Sequence, residues 1–133
     1  MVVGGCEFYD AGTGITNCYK NKVYGLTVNN VAPVLYGFYI TIGAANYVYN
    51  NFVSDLKSPT STATNGIVGM YILGGTSIGL YYNSIYLNAT SSSATTFGTS
   101  GIHASTTPTV DLRNNVVVNS SGVGPTGGFT VAY

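Results

Sequence analysis

The chain has 133 residues, a formal net charge of zero and only 6% charged residues. Its four Lys and Arg residues are too few for a surface that follows a nucleic-acid backbone, so we expect no nucleic-acid partner. No apolar run reaches the roughly 18 residues of a membrane-spanning helix, and we expect no insertion into a membrane. The hydrophobic content of 45% includes 12 Tyr residues and many Val and Ile residues, which favours a packed β protein over a disordered chain.

A repeat organises the sequence. Its copies begin at Gly5, Gly37, Gly69 and Gly101, so each copy begins 32 residues after the previous one, and a weaker copy begins at Gly128. A fixed period of this length is typical of proteins built from stacked structural repeats. We predict one domain over residues 1–133, with repeats at 5–36, 37–68, 69–100 and 101–127 and a partial repeat at 128–133.

Each repeat contains three short segments in which apolar and polar residues alternate, separated by Gly, Asn, Ser and Pro, as in strands joined by turns. The predicted strands are, in chain order, Phe38–Ile42, Tyr47–Tyr49, Phe52–Leu56, Met70–Leu73, Leu80–Tyr82, Ile85–Leu87, Ile102–Ser105, Asp111–Arg113 and Val116–Val118. One repeat cannot bury its apolar face alone, but stacked repeats can pair each strand with its equivalent in the next coil. The sequence therefore predicts an all-β parallel β-helix, or solenoid, of about four coils with three short strands per coil.

Alternation along these strands also predicts which side chains face the interior. The first strand contributes two inward rows, which are Cys6, Phe38, Met70, Ile102 and Phe129, and Phe8, Ile40, Ile72, Ala104 and Val131. The second strand contributes Val48, Tyr81 and Leu112, and the third contributes Phe52, Ile85 and Val116. Together these rows form the predicted core.

Asn50, Asn83 and Asn114 lie between the second and third predicted strands of successive coils. Asn tolerates the left-handed backbone of a sharp corner better than most residues, and its side chain can form hydrogen bonds along a column. We therefore predict an Asn ladder at this corner. In the first coil the register is open, and either Lys20 or Asn21 takes the corner position.

Outward-facing tyrosines form two predicted rows. One row contains Tyr39 and Tyr71, and the other contains Tyr19, Tyr49 and Tyr82 and continues to Arg113. Such rows can bind sugar rings or a second protein, because each side chain offers an apolar face and a polar tip. Tyr is also an ordinary residue of exposed sheets, so a purely structural interpretation is equally open.

The segment after the third strand varies in length and is rich in Ser, Thr, Gly and Pro, at Lys57–Gly66, Asn88–Ser100 and Ser120–Gly127. These loops leave the coils along one edge, where repeat proteins often bind partners. The alternative is that they are solvated connectors.

The sequence predicts no catalytic residues, no metal site and no cofactor. Asp55 and Asp111 occupy non-equivalent positions two coils apart, so they do not form the paired carboxylates of a hydrolase. Arg113 follows Asp111 by two residues, and we expect the two to form an exposed ion pair. His103, the only histidine, falls on an outward position in the row of Tyr39.

Cys6 and Cys18 are the only cysteines. They suit either one disulfide in an oxidising compartment or two buried free thiols, of which the second is the commoner use of buried cysteine.

The coils with an Asn corner resemble a known family. Val48–Leu56, Leu80–Thr90 and Pro108–Val116 are similar to right-handed parallel β-helix repeats of the pectate-lyase-like superfold. More narrowly, the chain resembles the β-helix regions of very large secreted bacterial surface proteins, whose export signals lie elsewhere in the polypeptide. The resemblance implies a right-handed coil and an extracellular or cell-surface location. It does not specify an activity, because the superfold carries lyases, hydrolases, adhesins and passive stalks alike.

These observations favour a non-catalytic structural module that acts as a scaffold, a stalk or an adhesive fibre segment. Its expected partner is the rest of a longer chain or a second copy stacked end to end, as in a filament. The alternative is a carbohydrate-binding or polysaccharide-degrading β-helix that uses the exposed Tyr rows on an extracellular glycan.

Overall fold

The computed structural model of the chain describes residues 2–9 and 14–133. They form fifteen strands: β1 Val2–Tyr9, β2 Ile15–Tyr19, β3 Lys22–Val23, β4 Leu26–Thr27, β5 Val34–Ile42, β6 Ala45–Tyr49, β7 Phe52–Ser54, β8 Leu56–Lys57, β9 Ile67–Ile72, β10 Ser77–Tyr81, β11 Ser84–Leu87, β12 Thr99–Ala104, β13 Thr109–Arg113, β14 Val116–Asn119 and β15 Thr130–Val131. Over these residues we find no helix with the length and apolarity needed to cross a membrane.

Equivalent strands of successive coils pair in parallel and build three long sheets. Sheet A has the order β1-β5-β9-β12-β15, sheet B the order β2-β6-β10-β13, and sheet C the order β3-β7-β11-β14. A fourth sheet, sheet D, contains only β4 and β8. This arrangement confirms the predicted all-β parallel β-solenoid of about four coils.

Sheet A has the predicted register over its first four strands. Cys6 pairs with Phe38, Phe38 with Met70, and Met70 with Ile102. Phe38 and Met70 are fully buried, Ile102 is 4% exposed, and Cys6 packs against the same core from the first coil. This inward row is therefore confirmed for its first four members.

The second inward row of sheet A is confirmed for Ile40 and Ile72, which are fully buried. Ala104 pairs with Ile72 and so shares this row as predicted, but it is exposed. It is the last residue of β12, where the short strand β15 does not reach. Phe8 pairs with Ile40, and its side chain lies outside the described residues.

The glycine that begins each repeat has a packing role. A Cβ on Gly37 would lie 2.7 Å from Cγ1 of Val53, and one on Gly69 would lie 2.6 Å from Cγ2 of Ile85. No side chain fits at these positions, so glycine lets sheet A pack directly against the buried face of sheet C. The sequence period is thus also the period of this contact.

Sheet B contradicts the prediction for Tyr81. Leu80 pairs with Val48 and Leu112 and is fully buried, whereas Tyr81 pairs with Tyr49 on the outer face. Val48 is buried as predicted. Leu112 shares this inward row but is 42% exposed, because no described strand covers β13 on its far side.

Sheet C corrects two further inward assignments. Ile85 is buried as predicted, and its partners are Val53 and Val117. Phe52 and Val116 lie one position earlier and are 39% and 59% exposed. The residue before Phe52 is itself buried, so alternation turns Phe52 outward.

Strand β15 is offset from the predicted register. Val131 pairs with Ser100 and is 38% exposed, and Phe129 is half-buried before the strand begins, so neither belongs to an inward row with Ile102. A turn at 125–126 and two glycines with positive φ, Gly127 at 149° and Gly128 at 125°, precede this strand. Gly128 therefore does not begin a repeat as the earlier glycines do.

The variable loops stack on one another and form a fourth side of the solenoid. The backbone N–H of Ser92 donates to the carbonyl of Pro59 at 2.8 Å, and that of Gly122 donates to the carbonyl of Ala89 at 3.0 Å. Phe97, near the end of the second loop, is 1% exposed and belongs to the core.

Candidate functional site

A polar column follows the corner between sheets B and C, and its members are Asn21, Asn51, Asn83 and Asn115. Its two middle members are buried, whereas Asn21 is exposed and Asn115 is half-buried. Asn51 is 2% exposed and Asn83 is fully buried. Nδ2 of Asn51 donates to Oδ1 of Asn83 at 3.1 Å, and Nδ2 of Asn83 donates to Oδ1 of Asn115 at 3.0 Å. The backbone N–H groups of the same residues donate to the same oxygens. The buried Asn ladder is confirmed, but only Asn83 of its three predicted members belongs to it.

Asn50 and Asn114 belong to a second column one residue earlier. They share it with Lys20 and Tyr82, and all four have φ angles between 53° and 58°. Asn50, Tyr82 and Asn114 are exposed. The sequence prediction merged two adjacent columns, one left-handed and exposed, the other hydrogen-bonded and buried. In the first coil Lys20 takes the left-handed position and Asn21 the ladder position, which settles the open register.

The ladder has a direction. Nδ2 of Asn51 and Nδ2 of Asn83 each donate forward to the next Asn and backward to a carbonyl of the previous coil, that of Cys18 at 3.0 Å and that of Val48 at 2.8 Å. Nδ2 of Asn115 donates backward to the carbonyl of Leu80 at 2.7 Å. Beyond Asn115, the part of the chain that the structure describes supplies no further ladder oxygen. The donor end of the column is therefore at the β13–β14 end of the stack.

Three tyrosine rings stack on the outer face of sheet A. Tyr39 and Tyr71 lie 5.5 Å apart between ring centroids and are nearly parallel, as predicted. Tyr36, which the sequence analysis missed, lies 4.8 Å from Tyr39 and 4.9 Å from Tyr71. Burial, and to a smaller degree the two neighbouring phenols, raises the pKa of Tyr36 to about 12. The three rings thus pack against one another and do not form a row of separate exposed side chains.

His103 extends this cluster by one coil, since its ring lies 5.2 Å from that of Tyr71. Its Nδ1 is 3.4 Å from Nδ2 of Asn65, whose Oδ1 accepts a hydrogen bond from Ser100 at 2.9 Å. His103 is thus held in a surface network, in the outward row predicted for it.

The tyrosine row on sheet B has different members from those predicted. Tyr19 and Tyr49 stack at 5.0 Å with an interplanar angle of 4°. The next member by register is Tyr81, followed by Arg113, so Tyr82 is not in this row. The ring of Tyr81 packs against Tyr47 at 6.2 Å.

An exposed ion pair adjoins Tyr81. Arg113 binds Asp111 through Nη2 at 2.7 Å and Nε at 3.0 Å, as predicted, and its guanidinium carbon lies 5.8 Å from the centroid of the Tyr81 ring. The hydroxyl of Tyr81 donates to Asp111 at 3.1 Å. The hydrogen bond from Arg113 lowers the pKa of Asp111, and partial removal from water together with the bond to Asp111 raises the pKa of Tyr81.

A shallow depression of about 300 Å³ opens beside these rings, and we call it the tyrosine groove. It is lined by Asn17, Tyr47, Tyr49, Asn50, Tyr81 and Tyr82. Tyr49 and Tyr82, two of the predicted surface residues, therefore meet at one site although they occupy different rows.

Cys6 and Cys18 carry free thiols that share a hydrogen bond. Cys18 is buried and also accepts a hydrogen bond from Nδ2 of Asn21 at 3.1 Å. Burial, and then the adjacent Cys6, raises the pKa of Cys18 to about 12, and burial also raises the pKa of Cys6. A disulfide between them stays a prediction.

Asp55 lies in a separate exposed ion pair. Asp55 pairs with Lys57 at 2.7 Å, and both side chains are about half exposed. Within residues 2–9 and 14–133 no three His, Cys, Asp or Glu side chains are grouped as metal ligands.

Comparison of the chain with protein families, with curated proteins and with solved structures finds no match.

Proposed function

We propose that the chain is a non-catalytic structural module: a β-solenoid scaffold or stalk segment of a secreted or cell-surface protein, extended end to end by further coils. The observation that carries this proposal is that the β13–β14 end of the stack has backbone and side-chain hydrogen-bonding groups that no described strand covers. There the Asn ladder stops at a donor, and β13 and β14 each have an edge that no described strand covers.

The end surface suits the addition of a coil. A recess of about 370 Å³ lies among Ile102, Leu112, Asn115, Val117 and Tyr133. Sheet A already has β15 at this end, so an added coil would meet sheets B and C, where parallel pairing would continue the existing ladders. A recess lined by both apolar residues and asparagines, beside open strand edges, favours head-to-tail stacking over a closed dimer.

The location outside the cell rests on the resemblance of the coils to β-helix regions of secreted bacterial surface proteins of the pectate-lyase-like superfold. The absence of catalysis is proposed because the two aspartates considered for a hydrolase, Asp55 and Asp111, are each held in a separate exposed ion pair. Neither pair offers a carboxyl group positioned for proton transfer to a shared substrate.

Sedimentation velocity and negative-stain microscopy of the purified chain test the stacking. We expect elongated assemblies that grow with protein concentration. Leu112→Lys places a charge in the recess and should abolish them, whereas the matched control Tyr86→Lys, on the exposed outer face of sheet C, should leave them intact. Dispersed monomers at high concentration, or equal effects of the two variants, would refute the stacking.

A further inference from the structure

We propose that the tyrosine groove on sheet B binds a neutral saccharide. This proposal goes beyond the scaffold function and does not depend on it. The volume of about 300 Å³ is at the lower end of the range of small-molecule sites and suits one or two pyranose rings.

Gly79 creates the groove. The equivalent positions of the neighbouring coils carry Tyr47 and Asp111, whereas Gly79 leaves bare backbone on the outer face. Tyr81 folds onto this backbone, so that a Cβ on Gly79 would lie 2.5 Å from Cζ of the ring. Because Tyr81 packs on Tyr47, it does not continue the ring stack of Tyr49, and a gap opens beside the exposed face of Tyr49.

Tyr82 closes the groove at a cost in backbone conformation. Its φ of 54° is a left-handed value that a bulky residue disfavours; the adjacent coils place Asn50 and Asn114 there, and the first coil places Lys20. The Tyr82 side chain is 59% exposed, so burial does not offset this strain. A strained residue that packing does not require is a sign of function, and here its ring is one wall of the groove.

The chemistry of the lining matches a sugar. The rings of Tyr47, Tyr49 and Tyr82 offer apolar faces for the C–H surface of a pyranose. The carboxamides of Asn17 and Asn50 offer both donors and acceptors to its hydroxyl groups. This lining suits a ligand whose individual rings have both an apolar face and polar groups, as a pyranose has.

The charge of the site favours a neutral sugar over an acidic one. No ionised side chain lines the groove. The adjacent Asp111 and Arg113 neutralise each other at 2.7 Å, so no net charge faces a ligand. A uronic acid or a sulfated glycan would lose water from its charge without gaining an opposite charge.

Titration of the full chain with oligosaccharides of glucose, xylose, mannose and N-acetylglucosamine, and with oligogalacturonate, tests the proposal. The chain has no Trp, so its intrinsic fluorescence reports on its 12 Tyr residues, and calorimetry gives the affinity. We expect at least one neutral oligosaccharide to bind and oligogalacturonate not to bind.

Two variants make the test specific. Tyr82→Asn removes one wall but supplies the residue that adjacent coils use at the same left-handed position, so the fold should be retained, and we expect affinity to fall roughly tenfold. The control Tyr86→Ser removes another exposed tyrosine, on sheet C outside the groove, and should leave the affinity unchanged.

Three outcomes overturn the proposal. These are no binding of any neutral oligosaccharide, binding of oligogalacturonate alone, and equal losses of affinity in Tyr82→Asn and Tyr86→Ser. Loss of self-association in Tyr82→Asn without sugar binding would show that the groove is a protein contact instead. Failure of the stacking test leaves the sugar prediction standing, because the groove lies on the side of the solenoid and not at its end.

Discussion

Removal of one side chain of the Asn ladder tests whether the buried column, and not the exposed one, stabilises the fold. Asn83 is fully buried, and its side chain takes part in four hydrogen bonds. Oδ1 accepts from the backbone N–H and from Nδ2 of Asn51, each at 3.1 Å, and Nδ2 donates to Val48 at 2.8 Å and to Asn115 at 3.0 Å. Asn83→Ala therefore removes the acceptor of two donors of Asn51, its backbone N–H and its Nδ2, and Asn51 is itself buried.

The expected cost follows from those stranded groups. An unsatisfied buried donor costs about 1–3 kcal/mol, so two of them predict a loss of about 2–6 kcal/mol in the free energy of unfolding. Asn50→Ala is the matched control, because Asn50 is exposed and contributes mainly its tolerance of a φ of 55°. Its loss should be about 1 kcal/mol, and Asn50→Gly should be close to neutral.

Urea unfolding monitored by far-UV circular dichroism measures both variants, with unchanged m-values as the sign that the same folded and unfolded states are compared. Asn83→Ala should have the lower midpoint by a wide margin. If Asn50→Ala costs as much as Asn83→Ala, then the buried column is not the structural one and the assignment of two separate columns is wrong.

Two further predictions concern titratable groups. The pKa of Tyr36 is raised from 10.0 to about 12, so its contribution to stability is fully present below about pH 10 and is lost as the pH rises toward 12. A near-UV absorbance titration should show one tyrosine that ionises at higher pH than the others, and Tyr36→Phe should remove that step. An unchanged titration curve in the variant would contradict the prediction. Oxidised glutathione should convert Cys6 and Cys18 to a disulfide, with loss of two hydrogens from the protein and formation of two reduced glutathione molecules. Because burial raises the pKa of both thiols, the reaction should be slow at neutral pH and faster as the pH rises. Mass spectrometry measures it, with Cys18→Ser as the control; thiols that resist oxidation even at alkaline pH would show that the pair serves only as buried free cysteines.

The β-solenoid could be predicted from the sequence because the same pattern of residues recurs in each repeat. The spacing of Gly5, Gly37, Gly69 and Gly101 reflects a physical contact, the close approach of sheets A and C, which recurs once per coil. Because this contact leaves no room for a side chain, each repeat has a glycine at the same position. The register of the first four strands of sheet A could therefore be predicted residue by residue.

The corner between sheets B and C could not be predicted in the same way. Asn occurs at two adjacent positions there, and both types of position favour Asn for different reasons. Aligning Asn83 with Asn50 instead of Asn51 shifts one coil by a single residue, and a shift of one reverses inside and outside along a strand. That slip placed Tyr81 in the core and Tyr82 in the row of Tyr49.

Tyr36 was missed for a related reason. Leu35 and Phe38 are both fully buried although they are three residues apart, so strict alternation breaks at Gly37. The predicted strand began at Phe38, and Tyr36 was left outside it. An interruption of the pleat is a three-dimensional feature, which a period of two does not reveal.

The internal repeats also separate residues that build the fold from residues free to carry a function. At each ladder, core and glycine position the coils agree with one another, because stacking requires the same chemistry in every coil. Gly79 and Tyr82 lie in columns that vary between coils, with Asn17, Tyr47 and Asp111 in the column of Gly79 and Lys20, Asn50 and Asn114 in that of Tyr82. Gly79 makes room for the ring of Tyr81, which a Cβ at this position would meet at 2.5 Å, and Tyr82 adds strain to an exposed residue. Both act on the same groove, and this coincidence of two such residues at one surface is the physical reason to look for a ligand there.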